Sequence, residues 1–148
     1  MLPPERNACN QRSLRFESLE DRRLLATDFS LLKDIRSLPA VLSSSPASLT
    51  AVGSTLFFAA NDGTSGVELW KSDGTEAGTT HVKDIKAGAG DSSPKSLVDV
   101  GGTLYFSATD IVTNYELWKS DGTEAGTVRV KDIRGSGQGS SPSNLMNV

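Results

Sequence analysis

The sequence predicts an all-β fold built from tandem four-stranded antiparallel meanders that repeat every 48 residues. The string ELWKSDGTEAGT occurs twice without change, at residues 68–79 and again at 116–127. Residues 43–90 and 91–138 align without a gap and are identical at 28 of 48 positions, which include turn glycines and alternating apolar residues. Because periods of about 20–50 residues are typical of solenoids and propellers, each copy is interpreted as one structural unit that packs on its neighbours.

Each unit contains four strand candidates, which in the second copy are residues 96–100, 103–108, 116–120 and 127–133. Gly101 and Gly102 join the first two candidates, because glycine tolerates the positive φ of a tight hairpin. Asp121 and Gly122 open the turn that follows the third. Three short links and one long Gly/Ser/Pro connector describe a meander that then crosses to the next unit, which is the layout of a β-propeller blade.

The alternation of side chains predicts which face of the last strand is buried. Val128 and Val130 are expected to point inward, and Arg129 and Lys131 to point outward. The repeated tryptophan of the ELW string is expected to fill the space between neighbouring blades. The sequence contains no helical pattern of useful length.

Incomplete units flank the two full copies. Residues 29–37 (FSLLKDIRS) match the last segment of a preceding copy, and residues 139–148 begin a third one. Flanking strands are therefore expected at 31–35 and 145–148. About two full blades fall short of the roughly four that a closed propeller needs, so the chain is predicted to be a fragment of a longer array.

The first 28 residues differ in kind from the repeats, because they are Arg-rich and do not recur. They are predicted to be a disordered leader or targeting segment. They lack the apolar core of about 7–15 residues that a secretory signal contains. Residues 15–26 (RFESLEDRRLLA) resemble the N-terminal leader of exported surface proteins from planctomycete-type bacteria. That resemblance implies a location in the cell envelope or outside the cell.

The repeat itself also resembles a known family. ELWKSDGTEAGT followed by VKDI is similar to the bacterial ELWxxDGTxxGT repeat, also called hyalin-like, and the similarity covers residues 29–148. The resemblance implies a β-propeller-like array on exported proteins, without an established enzymatic activity. VDVGGTLYF also resembles a kelch blade, but SATD replaces the second glycine pair expected there, so kelch is the weaker match.

The repeated ELW string and its turn hold the candidate site residues. They are Trp70, Asp73, Gly74, Glu76 and Gly78, and in the second copy Trp118, Asp121, Gly122, Glu124 and Gly126. The acidic residues are candidate Ca²⁺ ligands, although Asp before Gly is more typical of an Asx turn. The glycines are expected to include residues at positive φ. The tryptophans are expected in the core. If they were exposed instead, they could stack on sugar rings.

Composition excludes several function classes. One cysteine (Cys9) and one histidine (His81) are too few for a zinc site or a Cys–His pair. The net charge of −3 and the absence of a basic stripe argue against nucleic acid. No stretch approaches the roughly 20 apolar residues of a membrane span. No catalytic residue and no cofactor are predicted, with calcium as the one alternative.

These observations predict a non-enzymatic, exported repeat module that acts as a structural, adhesive or interaction scaffold. Its expected partners are further repeats, or a second copy bound through open blade flanks. Glycans and surface proteins are further candidate partners. A lectin-like module that binds carbohydrate or calcium is the alternative. A propeller hydrolase or lyase is a third class, which near-identical units disfavour because they offer no unique constellation.

Overall fold

The computed structural model describes residues 32–35 and 43–147. Eight strands lie in this part of the chain: β1 (Ala47–Val52), β2 (Thr55–Asn61), β3 (Val67–Ser72), β4 (Thr80–Lys83), β5 (Lys95–Val100), β6 (Thr103–Ala108), β7 (Glu116–Ser120) and β8 (Val128–Lys131). They form two antiparallel sheets with the orders β1-β2-β3-β4 and β5-β6-β7-β8. The prediction of an all-β fold made of incomplete blades is confirmed. Among these residues there is no helix that could span a membrane.

The two sheets have the same internal register because their sequences repeat. In the first, Phe58 lies opposite Trp70 on β2 and β3; in the second, Phe106 lies opposite Trp118 on β6 and β7. Gly101 and Gly102 have φ of 60° and 83°, as the hairpin between β5 and β6 requires. Each unit is therefore a hairpin-linked meander with conserved cross-strand aromatic pairs.

An irregularity in the last strand pair shapes the face that each sheet offers its neighbour. Leu69 pairs with Lys83 and Trp70 with His81, so Val82 is an extra residue on β4. A bulge of this kind bends the strand and increases its local twist. The second sheet repeats the shift between Leu117 and Trp118.

The main core lies between the two sheets rather than within either one. Its buried side chains come from both units: Phe57, Leu69, Val82 and Ile85 from the first, and Leu104, Phe106, Ala108 and Trp118 from the second. The two first strands also lie close together, and the Thr50 hydroxyl donates to the Leu97 carbonyl over 3.2 Å. Stability therefore depends on unit-to-unit packing, as in other repeat proteins.

The expected burial of Val128 and Val130 is wrong in this structure. Val130 is 46% exposed and Val128 is also exposed, whereas Val82, the counterpart of Val130, is 6% exposed. The second sheet covers Val82, but no described residues form a third sheet that would cover Val130. The backbone direction is the same in both units, and the presence of a neighbour decides the burial.

The expected flanking strands at 31–35 and 145–148 are also wrong in the described part. Residues 32–35 and 145–147 are not strands. A strand needs a hydrogen-bonded partner strand, and the described residues pair none with either segment. The predicted leader at 1–28 lies outside the described residues.

The buried core predicts a large difference between two equivalent leucines. Leu104 is fully buried, whereas Leu56, at the same position in the first unit, is 37% exposed. Leu104→Ala should lower the free energy of unfolding by about 3 kcal/mol, and Leu56→Ala by less than about 1 kcal/mol. Urea unfolding followed by tryptophan fluorescence measures both. Equal losses would contradict a core placed between the sheets.

Candidate functional site

The contact between the two sheets, called the joint from here on, identifies the surface with which a unit binds another unit. On the first-sheet side the joint contains Phe57, Lys71, Val82, Lys83 and Ile85. On the second-sheet side it contains Gly122, Thr127 and the core residues Leu104, Phe106, Ala108 and Trp118. Since the units repeat, the second sheet carries the counterparts of the first set, with Tyr105 in place of Phe57, and the first sheet carries the counterparts of the second set.

Two lysines of the first sheet anchor the joint. The Lys71 Nζ donates to the Gly122 carbonyl over 2.7 Å, and the Lys83 Nζ donates to the Thr127 carbonyl over 2.9 Å. A charged donor on a carbonyl is stronger than a neutral hydrogen bond. One unit thus supplies ammonium groups and the next supplies the carbonyls of its turn, so the joint has a direction.

We call the unpaired face of the first sheet the head flank. It contains a cleft of about 430 Å³ lined by Leu49, Leu56, Phe58, Gly74 and Thr79, among others. These residues are the counterparts of second-sheet positions that lie at the joint. Gly74 is exposed, whereas its counterpart Gly122 is buried against Phe57. The cleft therefore corresponds to the receiving half of a joint. Leu32, Lys33 and Ile35 also line it, and the described residues place no second sheet over it.

We call the unpaired face of the second sheet the tail flank. It consists of Val100, Tyr105, Lys119, Lys131, Val130 and Ile133. Ile133 is 55% exposed, against 7% for its counterpart Ile85. Lys119 and Lys131 correspond to the two anchoring lysines and are both exposed. The tail flank therefore corresponds to the donating half of a joint, with exposed apolar side chains and two exposed lysines.

The predicted Asx turn occurs in both units and gives the turn a fixed shape. The Asp73 Oδ1 accepts hydrogen bonds from the Thr75 backbone N–H over 2.9 Å and from its hydroxyl over 2.7 Å. These hydrogen bonds, that of the hydroxyl first, hold the pKa of Asp73 below its ordinary value. The Asp121 carboxylate is bound by Thr123 in the same way and also has a lowered pKa.

The four turn glycines serve two different purposes. Gly74 and Gly122 have φ of 90° and 87°, which L-residues with a side chain rarely adopt. Gly78 and Gly126 do not have a positive φ, but a Cβ there would overlap the carboxylate of Asp73 or Asp121. The sequence reasoning anticipated the first purpose and missed the second.

The candidate calcium ligands are exposed and few. Asp73, Glu76, Asp121 and Glu124 all lie on the surface of the turns. Within residues 32–35 and 43–147, no three His, Cys, Asp or Glu side chains lie close enough together to hold a metal ion. In each turn the aspartate already accepts two hydrogen bonds from its neighbouring threonine.

The tryptophans of the ELW string lie inside the protein. Trp70 and Trp118 are both buried, and the Trp70 ring centroid lies 5.3 Å from that of His81. Stacking on a sugar ring requires an accessible aromatic face, which neither side chain offers in this structure. Their visible role is to fill the space beside Phe58 and Phe106.

A buried glutamate, which the sequence reasoning did not single out, holds each connector against its sheet. The Glu68 carboxylate is fully buried and accepts from the Ser92 hydroxyl over 2.5 Å, the Ser92 N–H over 3.1 Å and the Ile85 N–H over 3.0 Å. Glu116 accepts from the Ser140 hydroxyl and N–H and, over 3.4 Å, from the Ile133 N–H. The sequence signal that could have identified this glutamate is its position: it is a charged residue that precedes Leu-Trp in an apolar strand in both units.

Burial shifts the protonation of Glu68. Desolvation raises the pKa of its carboxyl to about 7, although the hydrogen bonds from Ser92, Ile85 and Lys86 act in the opposite direction. The same carboxyl positions Ile85, which enters the joint.

Comparisons of the chain with protein-family models, with curated proteins and with solved structures give no match. The functional interpretation therefore depends on the geometry of the joint and of the two flanks.

The equivalent glycines of the two turns provide a test of the joint. Gly74→Ala should cost about 1 kcal/mol of unfolding free energy because of its positive φ. Gly122→Ala should cost about 2 kcal/mol or more, because its Cβ would also lie 3.2 Å from the Phe57 ring, in a contact that Gly74 lacks. Chemical unfolding of the two variants gives the comparison. A smaller loss for Gly122→Ala than for Gly74→Ala would contradict the packing described here.

The raised pKa of Glu68 predicts how stability depends on pH. Between the ordinary value of 4.5 and about 7, the folded chain keeps a proton that the unfolded chain has released. The free energy of unfolding should therefore fall, by on the order of 3 kcal/mol, as pH rises from about 4.5 to 8. Urea unfolding at a series of pH values measures this slope.

Two variants separate Glu68 from the other carboxyls. Glu68→Gln should remove most of the slope, whereas Glu76→Gln, on the exposed turn, should keep it. Below about pH 4, stability should fall again, because Asp62 and Asp110 have lowered pKa values and their contributions are lost on protonation. A wild-type profile that is flat between pH 5 and 8 would show that Glu68 is not the titrating group.

Proposed function

We propose that the chain is a non-enzymatic repeat module that binds further repeat units through its head and tail flanks and serves as a structural or adhesive scaffold. The observation that supports this proposal is the joint, in which one unit already binds another. The residues of both halves recur on the outer faces of the two sheets, where Leu56 and Gly74 on one face and Val130 and Ile133 on the other are exposed. A surface whose partner is known from the same molecule is better defined than an exposed apolar patch alone.

The chemistry of the flanks favours head-to-tail binding over head-to-head or tail-to-tail binding. The tail flank supplies Lys119 and Lys131, and the head flank supplies the carbonyls of Gly74 and Thr79, the counterparts of Gly122 and Thr127. Two tail flanks would bring like charges together, and two head flanks would lack a counterpart of Lys71 among the described residues. Such heterologous contacts form rings when the rotation closes and open arrays when it does not.

The place of action proposed for this scaffold is the cell envelope or the extracellular space, in a bacterium. The resemblance of residues 15–26 to exported leaders and of ELWKSDGTEAGT to the ELWxxDGTxxGT repeat supports this location. The same resemblance favours a role within a longer array. In such an array, each added unit would cover one flank and expose an identical one.

A lectin-like role is the second candidate, and the composition of the head-flank cleft favours it. The cleft places the exposed Asp73 beside the apolar walls formed by Leu56 and Phe58. Ser72 and Thr79 also line it, although their hydroxyl groups bind each other. Apolar walls with a few convergent polar groups are typical of small-ligand sites. Binding on a glycan array, or melting that depends on calcium, would favour this candidate.

Sedimentation of the purified chain tests the scaffold proposal. The wild-type chain should associate as its concentration rises through roughly 1–100 μM, because each copy carries both halves of the joint. Ile133→Asp should weaken association at least about tenfold, since it puts a charge at the centre of the tail flank. Val112→Asp, at an exposed loop residue outside both flanks, should have no effect and is the matched control.

Three results would count against the scaffold proposal. One is a chain that remains monomeric throughout this concentration range. Another is an association that Ile133→Asp leaves unchanged. The last is an equal loss in the Val112→Asp control, which would indicate non-specific association.

A further inference from the structure

Residues 32–35 (LKDI) occupy a definite position on the head flank. The Lys33 Nζ donates to the Thr79 carbonyl over 2.8 Å. In the joint, the Lys83 Nζ donates to the Thr127 carbonyl over 2.9 Å. Thr79 and Thr127 hold the same position in successive units. Lys33 therefore binds the first sheet as Lys83 binds the second.

The isoleucine of the same segment repeats the correspondence. Ile35 packs against the cluster of Phe58, Ala60 and Trp70. Ile85 shares a cluster with Phe106, Ala108 and Trp118, which are the counterparts of those three residues. LKDI at 32–35 thus lies where VKDI of a preceding unit would lie, although it belongs to no sheet.

The tail flank of a second copy carries the segment that fits this place. Its residues 130–133 are VKDI, the same letters as residues 82–85, which make the joint. Docking a second copy in the geometry of the joint would bring its Lys131 to the Thr79 carbonyl and its Ile133 to the Phe58 cluster. Both positions are already taken by Lys33 and Ile35, so the two segments cannot bind together.

We infer that residues 32–35 are an internal plug, and that residues 130–133 of a second copy displace this plug when two chains join head to tail. This inference rests on the proposed function, because it specifies the partner of the head flank and the event that accompanies binding. The plug lowers the apparent affinity of one chain for another, because only chains whose head flank is free can bind.

The incoming segment has two advantages over the plug. Val130 and Lys131 belong to β8, which is paired with β7, and Glu116 holds the N–H of Ile133, so the segment arrives already ordered. A preorganised segment loses less conformational entropy on binding. The plug, by contrast, belongs to no strand.

The plug also covers only part of the head flank. Leu56 is 37% exposed and Gly74 is exposed, although the plug is in place. In the joint, Phe57 and Lys71 cover the counterpart of Gly74, and the tail flank carries Tyr105 and Lys119 at these positions. A second copy would therefore bury surface that the plug leaves open, which favours the exchange.

A thiol at the plug reports the displacement directly. In the Cys9→Ser background, Ile35→Cys places the sole thiol on the plug. Its rate of alkylation should rise at least about fivefold as the chain is concentrated through its association range, because exchange opens the plug. The same chain with Ile133→Asp should show no such rise.

Weakening the plug should strengthen association. The double variant Lys33→Ala and Ile35→Asp removes both contacts without changing the tail flank, and its dissociation constant should be about tenfold lower than that of the wild type. Thermal melting of the same sample shows whether the sheets remain folded. Adding Ile133→Asp to this variant should abolish the gain.

The outcomes separate the plug from the proposed function. If wild-type chains associate but the introduced thiol stays equally protected, and the double variant binds no more tightly, the plug is overturned while the scaffold proposal stands. If neither the wild type nor the folded double variant associates, both are overturned. Faster alkylation together with tighter binding of the double variant supports the exchange.

Discussion

A buried carboxylate in each unit fixes the connector on which the rest of the structure depends. Glu68 is fully buried and binds Ile85 and Ser92, which lie at the two ends of the link between the sheets. The bonds satisfy backbone groups that would otherwise be buried without partners, and they direct Ile85 into the joint. Glu116 repeats the arrangement at the tail flank, where it holds Ile133 although no described sheet lies beyond.

Because this connector is fixed in the same way in both units, the head flank and the tail flank carry complementary groups. Every unit offers lysines and apolar residues on one face, and turn carbonyls with a cleft on the other. The repeat makes these faces closely similar from unit to unit, with Tyr105 in place of Phe57 as one difference. In the described residues, the main core is formed by contact between two like units, as in other repeat proteins.

The candidate site was predictable only in part. The repeated DGT turn indicated Asp73 and Gly74, and the structure places both at the head flank, where Asp73 fixes the turn through Thr75. The joint-forming lysines were not predicted, because a lysine on a strand is most often a solvated side chain. Lys71 becomes an anchor only because the turn of the next unit lies within 2.7 Å of its ammonium group.

The sequence by itself determined the strands, the hairpins and the period, since alternation, turn glycines and repeated strings are local properties of the chain. Only the tertiary structure decided which of the equivalent residues are buried. Val82 and Val130 are the same residue at the same position of a unit, yet their exposures are 6% and 46%. Burial depends on the neighbour that covers a side chain, and a repeat pattern cannot show whether that neighbour is present.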